Sequence, residues 1–214
     1  MDTKKICAVV PAYKEEKRIG KVLKELKKSN VDEIIVVDDG SNDRTYEVAK
    51  KTGVRVIKNR KNSGKGYAMK KGVENTNANA ILFCDADLKG FDYKIINDMI
   101  NTFKKNNCEM LVAVRNSHPS KTCLMMWQGQ RVVQRQLWDR IPDFYKKGFR
   151  VEMGMNLFCN KYITKSYEFG QCVKEKKHGI LLGLYRRFFM ILQMSSAILR
   201  YYLYDSIFFT QKNS

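Results

Sequence analysis

The sequence predicts an α/β fold: an open, mostly parallel sheet with helices on both faces, followed by a basic, amphipathic C-terminal appendage. Three observations predict it. Short apolar runs without alternation recur through the first half, as strands covered on both faces require. Helical patterns separate those runs, and polar turns follow three of them, where open α/β sheets bind ligands.

Taken in order, Ile6 to Val10 is the first strand, and Ile19, Val22, Leu23 and Leu26 recur at helical spacing after it. Ile34 to Val37 is the second strand, Thr45 to Lys51 a helix, and Val54 to Ile57 the third strand. A helix over Tyr67 to Glu74, a strand over Ile81 to Cys84, a helix over Ile95 to Phe103 and a strand over Met110 to Val114 complete the alternation. With 214 residues, 44% of them hydrophobic, the chain can bury one sizeable core, and neither its 3 prolines nor any low-complexity linker marks a domain boundary.

From Arg115 to Arg150 the strand rhythm stops and basic and aromatic residues take over. Trp127, Arg131, Arg135 and Trp138 are spaced four, four and three apart, which on a helix makes one stripe of cations and aromatics, suited either to a headgroup layer or to internal packing. Ile180 to Phe209 is apolar but interrupted by Arg186, Arg187, Gln193, Arg200 and Asp205. Its longest uncharged part, Phe188 to Leu199, falls short of the roughly 20 residues a membrane span requires, so the stretch reads as an interfacial helix or a subunit-docking surface.

Forty Lys and Arg against 22 Asp and Glu give a net charge of +18, and residues 115–214 carry 17 of those basic side chains but only 6 acidic ones. An anionic partner is expected: a nucleotide, a lipid surface or nucleic acid. No recognised nucleic-acid module accompanies the charge, so nucleic acid is not expected. The 6 cysteines lack Cys-x-x-Cys spacing and the first residues carry no signal-like apolar region, which points to free thiols in a reducing cytoplasm. His118 and His178 have no ligand-like spacing.

The three polar turns carry the chemistry. Asp85-Ala86-Asp87 follows a buried strand, where two carboxylates at i and i+2 can share one divalent cation, Mg or Mn, and leave its other positions to diphosphate oxygens and water. Asp38 and Asp39 follow another strand and suit nucleobase N–H or ribose hydroxyl groups, while Ser41 or Asp43 suits a helix cap. Asn62-Ser63-Gly64-Lys65-Gly66 precedes a helix and offers backbone N–H groups and one cation to a phosphate. Alone, that segment is equally a helix-entry turn, since it has neither the Walker spacing nor the dinucleotide fingerprint.

As a set, Val9-Val10-Pro11-Ala12-Tyr13-Lys14-Glu15-Glu16, Ile35-Val36-Val37-Asp38-Asp39-Gly40-Ser41, Asn62-Ser63-Gly64-Lys65-Gly66-Tyr67-Ala68 and Asp85-Ala86-Asp87 resemble the family-2 glycosyltransferases of GT-A fold, over about residues 4–115. The resemblance implies a Rossmann-like sheet, a UDP- or GDP-sugar donor, Mg or Mn, and inverting transfer. It places Pro11, Tyr13 and Glu15 at the nucleobase, Asp38 and Asp39 at the base or ribose, Lys65 beside the nucleotide, and Asp85 and Asp87 at ribose, metal and diphosphate, with Asp87 catalytic. It divides the chain into a catalytic domain, 1–179, with a donor half to 115 and an acceptor half beyond it, and a tail, 180–214, that is membrane-associated or oligomerising.

Within the family the second half is most similar to polyprenyl-phosphate sugar synthases of the dolichyl-phosphate mannosyltransferase type. Arg115 and Lys176-Lys177-His178-Gly179 carry that similarity, whereas Leu88-Lys89 stands where a metal-binding glutamine is usual, and the transmembrane helices of that type are missing. The implied acceptor is a polyprenyl phosphate met by Arg115, Arg131, Arg135, Lys176 and Lys177 at the inner face of the cell membrane. Glu152 is the candidate general base for a hydroxyl acceptor on a lipid or cell-surface glycan, or else an ion-pair partner of Arg150 or Arg131. A nucleotidyltransferase should carry a glycine-rich loop with Arg and Lys after the first strand, which Pro11 to Glu15 is not. A non-enzymatic basic membrane- or nucleic-acid-binding protein would explain the charge but leave the acidic turns without a purpose.

Overall fold

The computed structural model describes residues 5–115, 130–171 and 180–206. Strands β1 (Ile6–Ala12), β2 (Glu33–Asp38), β3 (Arg55–Lys58) and β4 (Ala80–Phe83) alternate with helices α1 (Ile19–Lys28), α2 (Thr45–Lys51) and α3 (Lys65–Glu74). A short β5 (Leu88–Lys89), α4 (Tyr93–Asn106) and β6 (Met110–Arg115) follow. After the undescribed segment come β7 (Arg131–Gln134), α5 (Arg135–Arg140), α6 (Arg150–Leu157), β8 (Tyr162–Tyr167), β9 (Gly170–Gln171) and α7 (Ile180–Arg200), which runs into a π-helical turn, Tyr201–Asp205.

The main sheet has seven strands in the order β3-β2-β1-β4-β7-β6-β8, and β5 and β9 form a separate antiparallel pair. Strands β1 to β4 are parallel, as the unalternating apolar runs predict. Alternate residues of β1 feed opposite layers: Ile6, Ala8 and Val10 join α1 and α4 on one side, and Cys7 and Val9 join α3, α5, α6 and α7 on the other. Helix α1 buries the four apolar residues that its spacing singled out. Asp92 caps α4 by accepting from the N–H groups of Lys94 and Ile95, both at 3.0 Å. Gly72 lets α3 lie close on β1, since a Cβ there would fall 2.3 Å from Val9 Cγ1.

The second half departs from the sequence reading. The stretch without strand rhythm contains β7, which runs antiparallel between β4 and β6 and places Arg131 in register with both Phe83 and Val112. The Trp127-Arg131-Arg135-Trp138 stripe is therefore not one helix: Arg131 opens a strand, Arg135 opens α5, and Trp127 lies outside the described residues. Strand β8 extends the sheet parallel to β6. Among the described residues no helix is long and apolar enough to cross a membrane.

Candidate active site

The carboxyl ends of β1, β2 and β4 meet at a cleft of about 780 Å³ lined by Pro11, Tyr13, Glu15, Asp39, Asn62 to Lys65, Asp85 and Asp87, and on its far side by Gly148, Phe149, Phe189 and Gln193. Parallel pairing forces this convergence, because it brings the ends of β1, β2 and β4 to one edge.

The β1 turn is held by the β2 turn. The Lys14 N–H donates to Ser41 Oγ at 2.9 Å and the Glu15 N–H to Thr45 Oγ1 at 2.8 Å. Lys14 takes a left-handed φ of 57°, Tyr13 before it is 41% exposed, and Glu15 is buried against Arg18. Asp39 serves the loop before α3: its carboxylate accepts from Asn59 Nδ2 at 2.8 Å, from Ser63 N–H at 3.0 Å and from Gly64 N–H at 2.7 Å. Two of the amides that the sequence offered to a phosphate are thus engaged by Asp39. Asp38 is fully enclosed and off the cleft wall; its Oδ1 accepts from Ser41 N–H at 3.1 Å, and its Oδ2 is buried without a hydrogen-bond partner.

A charge cluster, half-buried at Lys65 and Asp85 and buried at Glu152, crosses the cleft floor. Lys65 Nζ lies 2.8 Å from Asp85 Oδ1 and 2.8 Å from Glu152 Oε1, joining the end of β4 to α6 through the first residue of α3. Burial works against the Lys65 ammonium, but Asp85 and then Glu152 outweigh it and hold its pKa above the usual lysine value. Gln130, itself buried, donates Nε2 to Asp85 Oδ2 at 2.8 Å, so the two oxygens of Asp85 are oriented from opposite sides. Asp87 is buried at 8% exposure. The neighbouring Cys84 thiol is pushed well above its usual pKa, first by burial and then by Asp85 and Asp87, and stays a protonated core side chain.

The carboxylates of Asp85 and Asp87 line the cleft and are hard oxygen donors, the ligand type that Mg or Mn takes. Asp85 and Asp87 are the residues that would hold Mg or Mn, with remaining positions left to substrate oxygens and water.

Two arginines assigned to the acceptor do other work. Arg131 is completely buried; Nη1 donates to Asn156 Oδ1 and, at 3.5 Å, to the Glu152 carbonyl, and burial lowers its pKa to about 10 against the raising influence of Glu152. Arg135 donates to the carbonyls of Thr76 at 2.8 Å and Val73 at 3.2 Å, closing the C-terminal end of α3. Neither is among the residues that line the cleft. Arg115 ends β6 in register with Tyr167, and Lys176 and Lys177 lie outside the described residues.

Gln130, Gly148, Phe149, Phe189 and Gln193 are site residues that the sequence reading missed. Gly148 has φ +57°, and a Cβ on it would fall 2.3 Å from Gln193 Oε1; that oxygen accepts the Phe149 N–H at 3.0 Å. The four-residue spacing of Phe189 and Gln193 puts them on one side of a helix, but no signal in the chain says that this side meets the cleft.

Residues 7–167 match the family model described as Glycosyl transferase family 2. A 4,4'-diaponeurosporenoate glycosyltransferase of Staphylococcus haemolyticus is 33% identical over 123 residues, covering 54% of this chain and 33% of that protein. An uncharacterized protein of Methanocaldococcus jannaschii is 52% identical over 69 residues, 32% of this chain and 28% of its own length. The matched segment thus spans about a third of these relatives. In three dimensions the fold is similar to glucosyl-3-phosphoglycerate synthase from Mycobacterium tuberculosis in complex with Mn2+, UDP and glucosyl-3-phosphoglycerate, with a TM-score of 0.77 at 19% identity over 92% of this chain and 79% of that one. The same synthase with Mg2+ and UDP gives a TM-score of 0.75, again at 19% identity and with the same coverage.

Proposed function

The chain belongs to glycosyl transferase family 2, and from that premise we propose that it transfers a sugar from a nucleotide diphosphate sugar, with a divalent metal, to a polyprenyl phosphate. The observation that carries the donor half of this reading is the cleft itself: Asp85, Asp87 and Lys65 face Tyr13 and Asp39 across a volume sized for a nucleotide sugar. The synthase of similar fold was crystallised with UDP and Mn2+ or Mg2+, which supports the same donor class and metal here.

In this scheme Tyr13 and Glu15 receive the nucleobase. Asp85 and Asp87 hold the metal, which when bound offsets charge developing on the departing diphosphate. Lys65 places a permanent positive charge at the same spot, kept protonated by Asp85 and Glu152. Gln130 fixes the rotamer of Asp85. Phe149 and Phe189 give the cleft mouth an apolar rim, which suits an acceptor with a charged head and a hydrocarbon tail.

A phosphate acceptor is already an anionic nucleophile, whereas a hydroxyl must lose a proton. Glu152, the base candidate, has Oε1 engaged by Lys65, which favours the phosphate. The test is a screen of UDP- and GDP-sugars against polyprenyl phosphate, with and without Mn2+. Transfer should require metal, fall by about 10²- to 10³-fold in Asp87→Asn, and persist in Glu152→Gln. Near-wild-type turnover of Asp87→Asn at saturating Mn2+ would remove the metal assignment. A loss of about 10²- to 10⁴-fold in a folded, donor-binding Glu152→Gln would reject the base-free scheme and make a hydroxyl acceptor the better reading.

A further inference from the structure

Helix α7 is apolar on both sides. One row faces the protein: Met194 and Ala197 are buried, and Met190, Ile198 and Tyr201 pack on the same core layer. The opposite row, at the same helical spacing, is Phe188, Leu192 and Leu199, which are 60%, 49% and 61% exposed. The π-helical turn extends this surface with Tyr202, Leu203 and Tyr204, each more than half exposed. Water-facing rows of surface helices are normally charged. Here the one charged residue from Phe188 to Tyr204 is Arg200.

Ser195 and Ser196, also exposed, interrupt this row between Leu192 and Leu199, and an exposed apolar surface broken only by two small hydroxyl residues marks a partner. Charge decides which partner. The chain carries +18, and in sequence the apolar segment is preceded by Lys174, Lys176, Lys177, Arg186 and Arg187 and followed by Lys212, against two acidic residues, Glu175 and Asp205, in the same flanks. Two such copies repel one another, whereas an anionic surface attracts each basic residue. The described helix is not long and apolar enough to cross a bilayer, and tyrosines beside aliphatic side chains suit the boundary between headgroup and acyl chain.

We propose that the outer face of α7, continued by Tyr201–Asp205, is a seat for an anionic lipid bilayer, on which the helix lies parallel to the membrane. The same helix supplies Phe189 and Gln193 to the cleft wall, and Gln193 grips the backbone at Phe149. Seating this face sets the cleft mouth beside the headgroups, so the head of a lipid-borne acceptor reaches the cleft while its tail stays in the bilayer.

Binding to vesicles involves no turnover, so this proposal and the transfer reading fail separately. The full chain should cosediment with vesicles of phosphatidylglycerol and phosphatidylcholine at least tenfold more strongly than with phosphatidylcholine alone, and added salt should release it. Leu192→Glu/Leu199→Glu should weaken that binding at least tenfold while near-ultraviolet circular dichroism is kept. A tryptophan placed by Leu199→Trp should shift to the blue on binding and be quenched by brominated lipid. Equal binding to neutral vesicles, no binding, or an unquenched tryptophan on bound protein would overturn the proposal. So would a dimer in sedimentation velocity that Leu192→Glu/Leu199→Glu converts to monomer, which would assign the face to a second copy.

Discussion

Asp85 follows the end of β4 and Arg131 opens the neighbouring β7, two strands joined in one ladder, yet the two side chains have opposite fates. Asp85 stays on the cleft wall, oriented by Lys65 and Gln130. Arg131 turns inward and is consumed by Asn156 and the Glu152 carbonyl. The contrast extends along both regions: the donor half presents carboxylates at parallel strand ends, whereas the β7–α5 segment uses Arg131, Arg135 and Arg140 as internal ties to carbonyls and carboxylates. A dense run of arginines in a sequence therefore measures scaffolding as well as surface potential.

The sharpest way to break this contrast is Arg131→Ala. Truncating this fully buried side chain leaves a cavity and strips Asn156 Oδ1 and the Glu152 carbonyl of a donor, which should cost about 3 kcal/mol or more of unfolding free energy, visible as a lowered urea midpoint. An unchanged midpoint together with weakened acceptor binding would return Arg131 to the substrate. Next in size, Gln130→Leu keeps the buried volume but strips Asp85 Oδ2 of this donor. Mn2+ affinity, followed by electron paramagnetic resonance in the presence of UDP, should fall by about tenfold, as second-layer supports of metal ligands do. Unaltered Mn2+ affinity would reduce Gln130 to core packing. Smallest, Arg135→Ala removes two ties to the end of α3 and should lower stability by about 1 kcal/mol, with the donor Kd unchanged by calorimetry. A shifted donor Kd would mean that α3 and Lys65 at its other end move together.

The donor half was legible because its signals are local. Buried parallel strands read as unbroken apolar runs, and an Asp-x-Asp directly after one of them has to lie at the carboxyl edge. The second half hid its strand: Arg131-Val132-Val133-Gln134 has two apolar residues between polar ones, and its place between β4 and β6 rests on antiparallel pairing with residues far along the chain. Asp38 and Asp39 show the limit within the legible half. Their position at a strand end could be read, but the choice of Asp39 as anchor for the Asn59-to-Gly64 loop, and the enclosure of Asp38, depend on a turn whose path no spacing specifies. The contribution of α7 to the cleft was illegible for the same reason, since amphipathic spacing gives a buried side without naming what covers it.

The insertion of β7 between β4 and β6 also orders events during biosynthesis. Once Phe83 has left the ribosome, β1 to β4 can pair with one another, but the outer edge of β4 keeps its backbone N–H and C=O groups open until Gln134 has also emerged. During that interval Ile81, Leu82 and Phe83 offer an uncovered, strongly apolar strand edge, the kind of template on which nascent chains join wrongly. The nascent protein thus has a window of vulnerability that its finished sheet conceals, and slowing translation after Phe83 has emerged and before Gln134 has emerged should lengthen it and raise the fraction recovered as aggregate.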